Sequence, residues 1–148
     1  MYAELHCLSH FSFLRGASAP AELVSRAAEC RYHALAVTDE CSLAGVVKAH
    51  VAAKEHQLKL IIGSEFTLTE GIRLVALVPN REAYGELSGL ISRARRRCHK
   101  GEYTVHLRDI IFHLKRCFLI LLPDDTHNQT VYLQQLTRLC KGRVWIGV

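Results

Sequence analysis

Along the chain, short and nearly continuous apolar runs alternate with longer stretches in which apolar residues recur every three or four positions. Residues 3–8 (AELHCL) predict a first strand, which leads into a loop carrying Arg15-Gly16-Ala17-Ser18. Ser18 ahead of Pro20 predicts an N-cap and a helix over PAELVSRAAEC, with Leu23, Val24 and Ala27 on one face. Residues 34–37 (ALAV) read as a buried strand ending on Thr38-Asp39. Leu43, Val46, Val47 and Val51 fall at i, i+3, i+4 and i+8, which predicts a helix over 43–56. Residues 58–62 (LKLII) and 65–69 (EFTLT) read as strands on either side of Gly63-Ser64.

The Glu70-Gly71 pair predicts a hairpin turn into a strand over 72–78 (IRLVALV), which Pro79-Asn80 terminates. A helix over 81–97 follows, then a loop around Lys100-Gly101 and a short helix over 105–112. Residues 117–122 (CFLILL) predict a strand closed by Pro123-Asp124-Asp125. A last helix over 129–139 ends at Lys141-Gly142, and residues 143–148 (RVWIGV) read as the start of a further strand. Apolar strands alternating with helices predict α/β architecture with a largely parallel sheet, as an open doubly wound sheet or a (β/α) barrel. A complete domain rarely stops inside a strand, so the expectation is a part of a larger fold.

In either architecture, functional side chains gather beyond the carboxyl ends of the strands. His6, Asp39 and Glu65 fall at or near such ends. An imidazole and two carboxylates converging from separate strands suit a divalent metal such as zinc or manganese. Each residue also has a plain structural alternative: His6 as a satisfied core histidine, Asp39 as the N-cap of the next helix, Glu65 as a surface residue. Cys7, adjacent to His6 in an extended strand, points to the opposite face and reads as a core residue.

Composition narrows the classes. With 148 residues, 49% hydrophobic, 9 Gly and 3 Pro, the chain is neither collagenous nor low-complexity. A domain of this length buries about 70% of its unfolded surface, enough for a core without disulfides. Six cysteines without a CxxC, behind an N-terminus unlike a secretory signal, predict reduced thiols in a cytoplasm. No apolar run is long enough to span a bilayer. P-loop, GxSxG and HExxH signatures are absent. The net charge of +5 permits a polyanionic partner. Arg93, Arg95, Arg96, Arg97 and Lys100 form the densest basic run, open to DNA contact, interdomain docking or a solvated helix end.

Four ordered blocks carry a family resemblance: YAELHCLSHFSFLRGAS, ALAVTDECSLAGVVKAH, LKLIIGSEF and NREAYGELSGLISRARRRCHKGEY. Together they resemble the N-terminal PHP (polymerase and histidinol phosphatase) domain of bacterial C-family DNA polymerases, in the error-prone, damage-associated branch. The resemblance runs from Tyr2 to Val148 and implies a partial PHP-type (β/α)7 barrel, with residues 1–148 forming one incomplete domain. It also implies a metal centre at the strand ends of active members. His6 matches the first His of the family's His-x-His motif, with Leu8 in the second position. Asp39 matches Thr-Asp-His, with Glu40 replacing the last His. Gly63 and Glu65 match Gly-x-Glu. Leucine cannot ligate a metal, and no His stands near 74–78, where Arg73 is the nearest polar residue.

The expected centre is therefore degenerate, built on His6, Asp39 and Glu65 with Glu40 as a further candidate, and no residue is assigned a catalytic role. The resemblance implies a structural segment of a polymerase that copies damaged DNA in damage-induced mutagenesis. Its partners would be the rest of that chain, DNA and accessory mutagenesis proteins. The magnesium-binding polymerase palm lies outside these residues, so the chain alone would not polymerise DNA. The alternative is a standalone metal-dependent phosphoesterase or a remnant 3′–5′ exonuclease. An incomplete barrel also exposes sheet edges, from which self-association is expected.

Overall fold

A computed structural model describes residues 1–124 and 129–147. The chain divides into two units, Met1–Ser64 and Glu65–Val148. Asp125, in the expected turn, and Val148, in the expected last strand, lie outside the described residues.

The first unit holds strands β1 (Ala3–Cys7) and β2 (Ala34–Val37), helices α1 (Pro20–Glu29) and α2 (Val46–Glu55), and most of strand β3 (Lys59–Thr67). β1 pairs with β2 and β2 with β3, both parallel. All four residues of β2 are buried, as its unbroken apolar run predicts for a strand covered on both faces. Val24 and Ala27 of α1, Leu35 and Val37 of β2, and Ala49, Ala52 and Ala53 of α2 form one core cluster, with Cys7 packed against it.

Two helix starts differ from expectation. Ala19, not Ser18, occupies the N-cap of α1, and the Glu22 carboxylate accepts its backbone N–H at 2.8 Å. Ser18 instead uses its carbonyl to accept the His10 N–H at 2.9 Å, closing the preceding loop. Helix α2 starts at Val46 with Gly45 at its N-cap, because residues 42–45 form a turn in which Ser42 Oγ accepts the Ala44 N–H. Asp39 is thus not the cap of this helix.

The second unit holds the end of β3, strands β4 (Arg73–Val78), β5 (Phe118–Leu122) and β6 (Val144–Ile146), and helices α3 (Arg81–Arg96), α4 (Leu107–His113) and α5 (Thr130–Leu139). β4 pairs antiparallel with β5, and β5 parallel with β6. The expected tight turn lies before β4 and joins it to β3. Gly71, at φ +79°, reverses the chain between Leu68 and Ile72, whose backbones join at 2.8 Å. Helix α3 buries Ala83, Leu87, Leu90 and Ala94, spaced 4, 3 and 4 apart as one helical stripe requires. Asn80 caps it by accepting the Ala83 N–H at 2.9 Å. Three of these four strand pairings are parallel, in line with the largely parallel α/β class.

Residues 59–67 form one continuous strand, where the sequence pattern predicts two. Gly63 and Ser64 stay extended because both are buried, and Ser64 Oγ donates to the Asp39 carbonyl while accepting the Ser42 N–H.

Candidate functional site

The most polar buried point of the first unit lies where β1 and β2 end. Thr38 continues their pairing: its N–H donates to the Cys7 carbonyl at 2.8 Å, and its Oγ1 accepts the Cys7 N–H at 3.1 Å. Asp39 follows, only 1% exposed. Burial of a carboxylate is costly unless its lone pairs are satisfied, and here both oxygens are. Oδ1 accepts the Ser9 N–H at 2.8 Å and the Ser12 hydroxyl at 2.7 Å; Oδ2 accepts the Ser9 hydroxyl at 2.7 Å. Ser9 and Ser12 are themselves buried, and each hydroxyl also accepts a backbone N–H, from Phe11 and Glu40 respectively. The result is a hydroxyl clamp that ties the loop after β1 to the end of β2.

Glu40 turns toward the same loop and pairs with Arg15 at 2.8 Å. Cys41 is buried with φ +43°, an uncommon conformation for a non-glycine residue, so the chain bends sharply just past the two acids. Gly45 approaches so closely that a Cβ there would lie 3.1 Å from Asp39 Oδ2 and 2.9 Å from Pro20 Cγ.

His6 is half-buried in β1, next to a register shift between Glu4 and Cys7, and its backbone N–H donates to the Glu4 carboxylate at 2.9 Å. Cys7 faces the core, and burial, helped by the Glu4 and Asp39 charges, pushes its thiol up to about 11. It is therefore a neutral thiol at neutral pH. Leu8 is half-buried. In the second unit Glu65 is fully buried within β3. Among the described residues, no group of three or more His, Cys, Asp or Glu is placed to hold a metal ion.

The basic run belongs wholly to the second unit, which carries thirteen Lys and Arg against eight Asp and Glu; the first unit carries six of each. Much of it is tied down locally. Arg97 grips the Asp109 carboxylate with both guanidinium branches, at 2.5 and 3.1 Å. Arg95 donates to the Gly101 carbonyl at 3.1 Å and lies over the Tyr103 ring. Arg93 meets His113 at 3.1 Å. Arg96 and Lys100 are exposed.

Asp109 also accepts the N–H of His106, the N-cap of α4. Burial pushes the Asp109 carboxyl up, but the Arg97 and His106 hydrogen bonds outweigh it and hold the group below its usual value. The Glu70 carboxylate accepts the Leu107 N–H at 3.0 Å, and Tyr103 Oη accepts the Thr67 N–H at 2.9 Å. The arginine-rich end of α3 is thus joined to α4 through Arg97 and Asp109, and α4 is joined to the turn after β3 through Glu70.

Comparison with known proteins places this geometry. The PHP domain family matches residues 4–124. The chain belongs to the PHP domain family. Over 99% of its length it is 55% identical to an error-prone DNA polymerase of Saccharophagus degradans, and over 99% it is 51% identical to one of Teredinibacter turnerae. In both cases it spans only 14% of the relative's length. A protein of Bifidobacterium adolescentis assigned as a metal-dependent phosphoesterase shares the fold at TM-score 0.66 and 17% identity, over 87% of this chain and 70% of that one. An amidohydrolase of Chromobacterium violaceum with bound sulfate and no metal shares it at TM-score 0.69 and 16% identity, over 99% and 76%. The chain shares its α/β fold with these structures, and the PHP family match agrees with the partial PHP-type barrel expected from the resemblance.

Within this PHP chain, the candidate positions His6, Asp39, Glu40 and Glu65 could be named from sequence motifs. Ser9 and Ser12 could not. Short hydroxyl residues in a loop leave no periodic signal, and their partner is about thirty residues away. No helix among the described residues is long and apolar enough to cross a membrane.

Proposed function

We propose that the chain is the N-terminal PHP segment of an error-prone DNA polymerase and serves it as a structural support rather than as a hydrolase. The observation that carries this reading is the state of Asp39. Three of the roughly four lone-pair sites of its carboxylate accept hydrogen bonds from Ser9 and Ser12, two on Oδ1 and one on Oδ2, which leaves a single site on Oδ2 for any ion. With Leu8 in a family ligand position, the centre on His6, Asp39, Glu65 and Glu40 is degenerate. Zinc or manganese there could use Asp39 only through Oδ2 without breaking the buried hydrogen bonds on Oδ1.

Residues 1–148 form one incomplete domain whose principal partner is the remainder of the polymerase, acting with DNA and accessory mutagenesis proteins in the cytoplasm during translesion synthesis. Magnesium chemistry belongs to the polymerase palm, outside this chain. The run Arg93, Arg95, Arg96, Arg97 and Lys100 serves mainly to join α3 to α4, with Arg96 and Lys100 left for contact with DNA or a neighbouring domain. Self-association is a property of the isolated segment. The phosphoesterase and exonuclease alternative has one neighbour described as a phosphoesterase, which shares the fold at 17% identity, and no cluster of metal ligands among the described residues favours it.

The test is the full-length protein. The reading frame should continue past Val148 into a polymerase-sized chain, and the purified product should extend primers while His6→Ala leaves extension unchanged. A frame that stops at this point, or phosphoester hydrolysis that disappears in His6→Ala, overturns the proposal.

A further inference from the structure

The loop that the hydroxyl clamp fixes does something besides occupying Asp39. Residues 9–18 close on themselves: the His10 N–H reaches the Ser18 carbonyl, the Ser12 N–H the Ser9 carbonyl, and the Arg15 and Gly16 N–H groups the Ser12 carbonyl, all at 2.9–3.0 Å. Gly16 passes so near that a Cβ would sit 2.0 Å from the Ser9 carbonyl oxygen, so only glycine fits. Phe11 turns inward, beside Gly45 and beneath Lys48. The next two apolar side chains turn the other way. Phe13 is 83% exposed and Leu14 is 90% exposed.

Single exposed apolar residues are ordinary. This pair differs in three respects. It is contiguous, it stands on a turn held by the buried Ser9, Ser12 and Asp39 clamp, and Leu14 has φ +62°. A leucine in the left-handed region is strained and persists only where its surroundings dictate it. A loop with no task for this tip would relieve the strain with glycine or asparagine and present a polar residue instead.

We infer that Phe13 and Leu14 form a rigid apolar knob that inserts into an apolar pocket on the remainder of the polymerase chain. This inference rests on the polymerase reading above. Two observations select that occupant. The chain spans only 14% of the length of its relatives, so most of the surface that could cover the knob lies in the same polypeptide. Arg15, the charge beside the knob, is already paired with Glu40, which disfavours a nucleic-acid or acidic partner. A preformed turn loses little conformational entropy on docking, which suits a permanent intramolecular contact.

Photo-crosslinking in the full-length polymerase tests this, with p-benzoylphenylalanine at position 13 and mass-spectrometric mapping of the product. The expected product is an intramolecular cross-link to a segment beyond residue 148. A cross-link between two copies, a link only within residues 1–148, or no protein cross-link overturns the inference while leaving the polymerase reading intact. If the reading frame does not continue into a polymerase, that reading fails first.

Leu14→Gly provides a second readout, since it removes the side chain while relaxing the backbone. Limited proteolysis between the PHP segment and the polymerase body should become roughly tenfold faster or more, as loss of one buried leucine implies. Unchanged or slower cleavage, the result of strain relief alone, contradicts docking.

Discussion

Replacing Asp39 with alanine separates a structural clamp from a metal ligand. The substitution removes three acceptor contacts at 2.7–2.8 Å and strands the Ser9 N–H and the Ser9 and Ser12 hydroxyls in a site that is at most 3% exposed. Hydrogen bonds to a charged group contribute about 1.5–3 kcal/mol each, and an unsatisfied buried donor costs about 1–3 kcal/mol. These terms share one carboxylate and do not add fully, because the two hydroxyls can rotate toward other acceptors. A loss of about 3–5 kcal/mol is expected, near the top of what single substitutions produce. For a chain of this size that lowers Tm by roughly 6–20 °C.

Asp39→Asn keeps one carbonyl acceptor and should cost about 1–2 kcal/mol. Urea denaturation of wild type and both variants, each with and without a chelator, measures the effect. Wild type should be indifferent to the chelator, and the cost of Asp39→Ala should be the same in both conditions. If the chelator alone destabilises wild type to the level of Asp39→Ala, Asp39 acts through a metal and the reasoning is wrong.

Other contacts in the fold carry expectations of their own. Asp109→Asn should cost about 1–2 kcal/mol at pH 7, discounted because Arg97 is more than a third exposed to solvent. The Asp109 carboxyl is held below its usual value, so the wild-type advantage exists above about pH 4. It should fade as pH falls through the lowered folded-state value, and denaturation curves at pH 7 and pH 3 would show the gap closing. Gly85→Ala on α3 meets nothing within 4 Å and should stabilise by about 0.5–1 kcal/mol, whereas Gly45→Ala should destabilise by about 1–3 kcal/mol by pressing on Pro20 and Asp39. Thermal melts would order the two against wild type. Iodoacetamide at pH 8 should label exposed Cys30 first and spare Cys117, which is buried with its thiol pushed up to about 12; early labelling of Cys117 would mean this core opens readily.

How far the sequence reveals this molecule depends on the range of each interaction. The four-residue run ALAV and the stripe Ala83, Leu87, Leu90, Ala94 announce a buried strand and an amphipathic helix, because periodicity reports burial directly. Glu70-Gly71 announces its turn through the backbone freedom of glycine. The start of α1 was less legible, since Ser18 and Ala19 compete for the cap and the Glu22 carboxylate favours the arrangement with Ala19. Residues 59–67 looked broken at Gly63-Ser64, yet glycine remains extended when its neighbours are buried and hydrogen-bonded.

The site divides along the same line. Asp39 and Glu65 could be named from motifs and strand ends, but what Asp39 bonds to depended on two serines far away in sequence. The basic run gave the same difficulty. Its density leaves DNA contact, interdomain docking and a solvated helix end all open, and charge counting cannot show the contacts by which Asp109, Tyr103 and His113 take up Arg97, Arg95 and Arg93.

The central claim, that this PHP segment has exchanged its metal seat for a hydroxyl clamp, is tested most directly by elemental analysis. The purified protein is incubated with zinc, and separately with manganese, then desalted and measured for bound metal per chain. The account predicts far less than one equivalent of either ion, unchanged in Asp39→Asn. One equivalent or more of retained metal, lost in His6→Ala and Asp39→Asn, would contradict it.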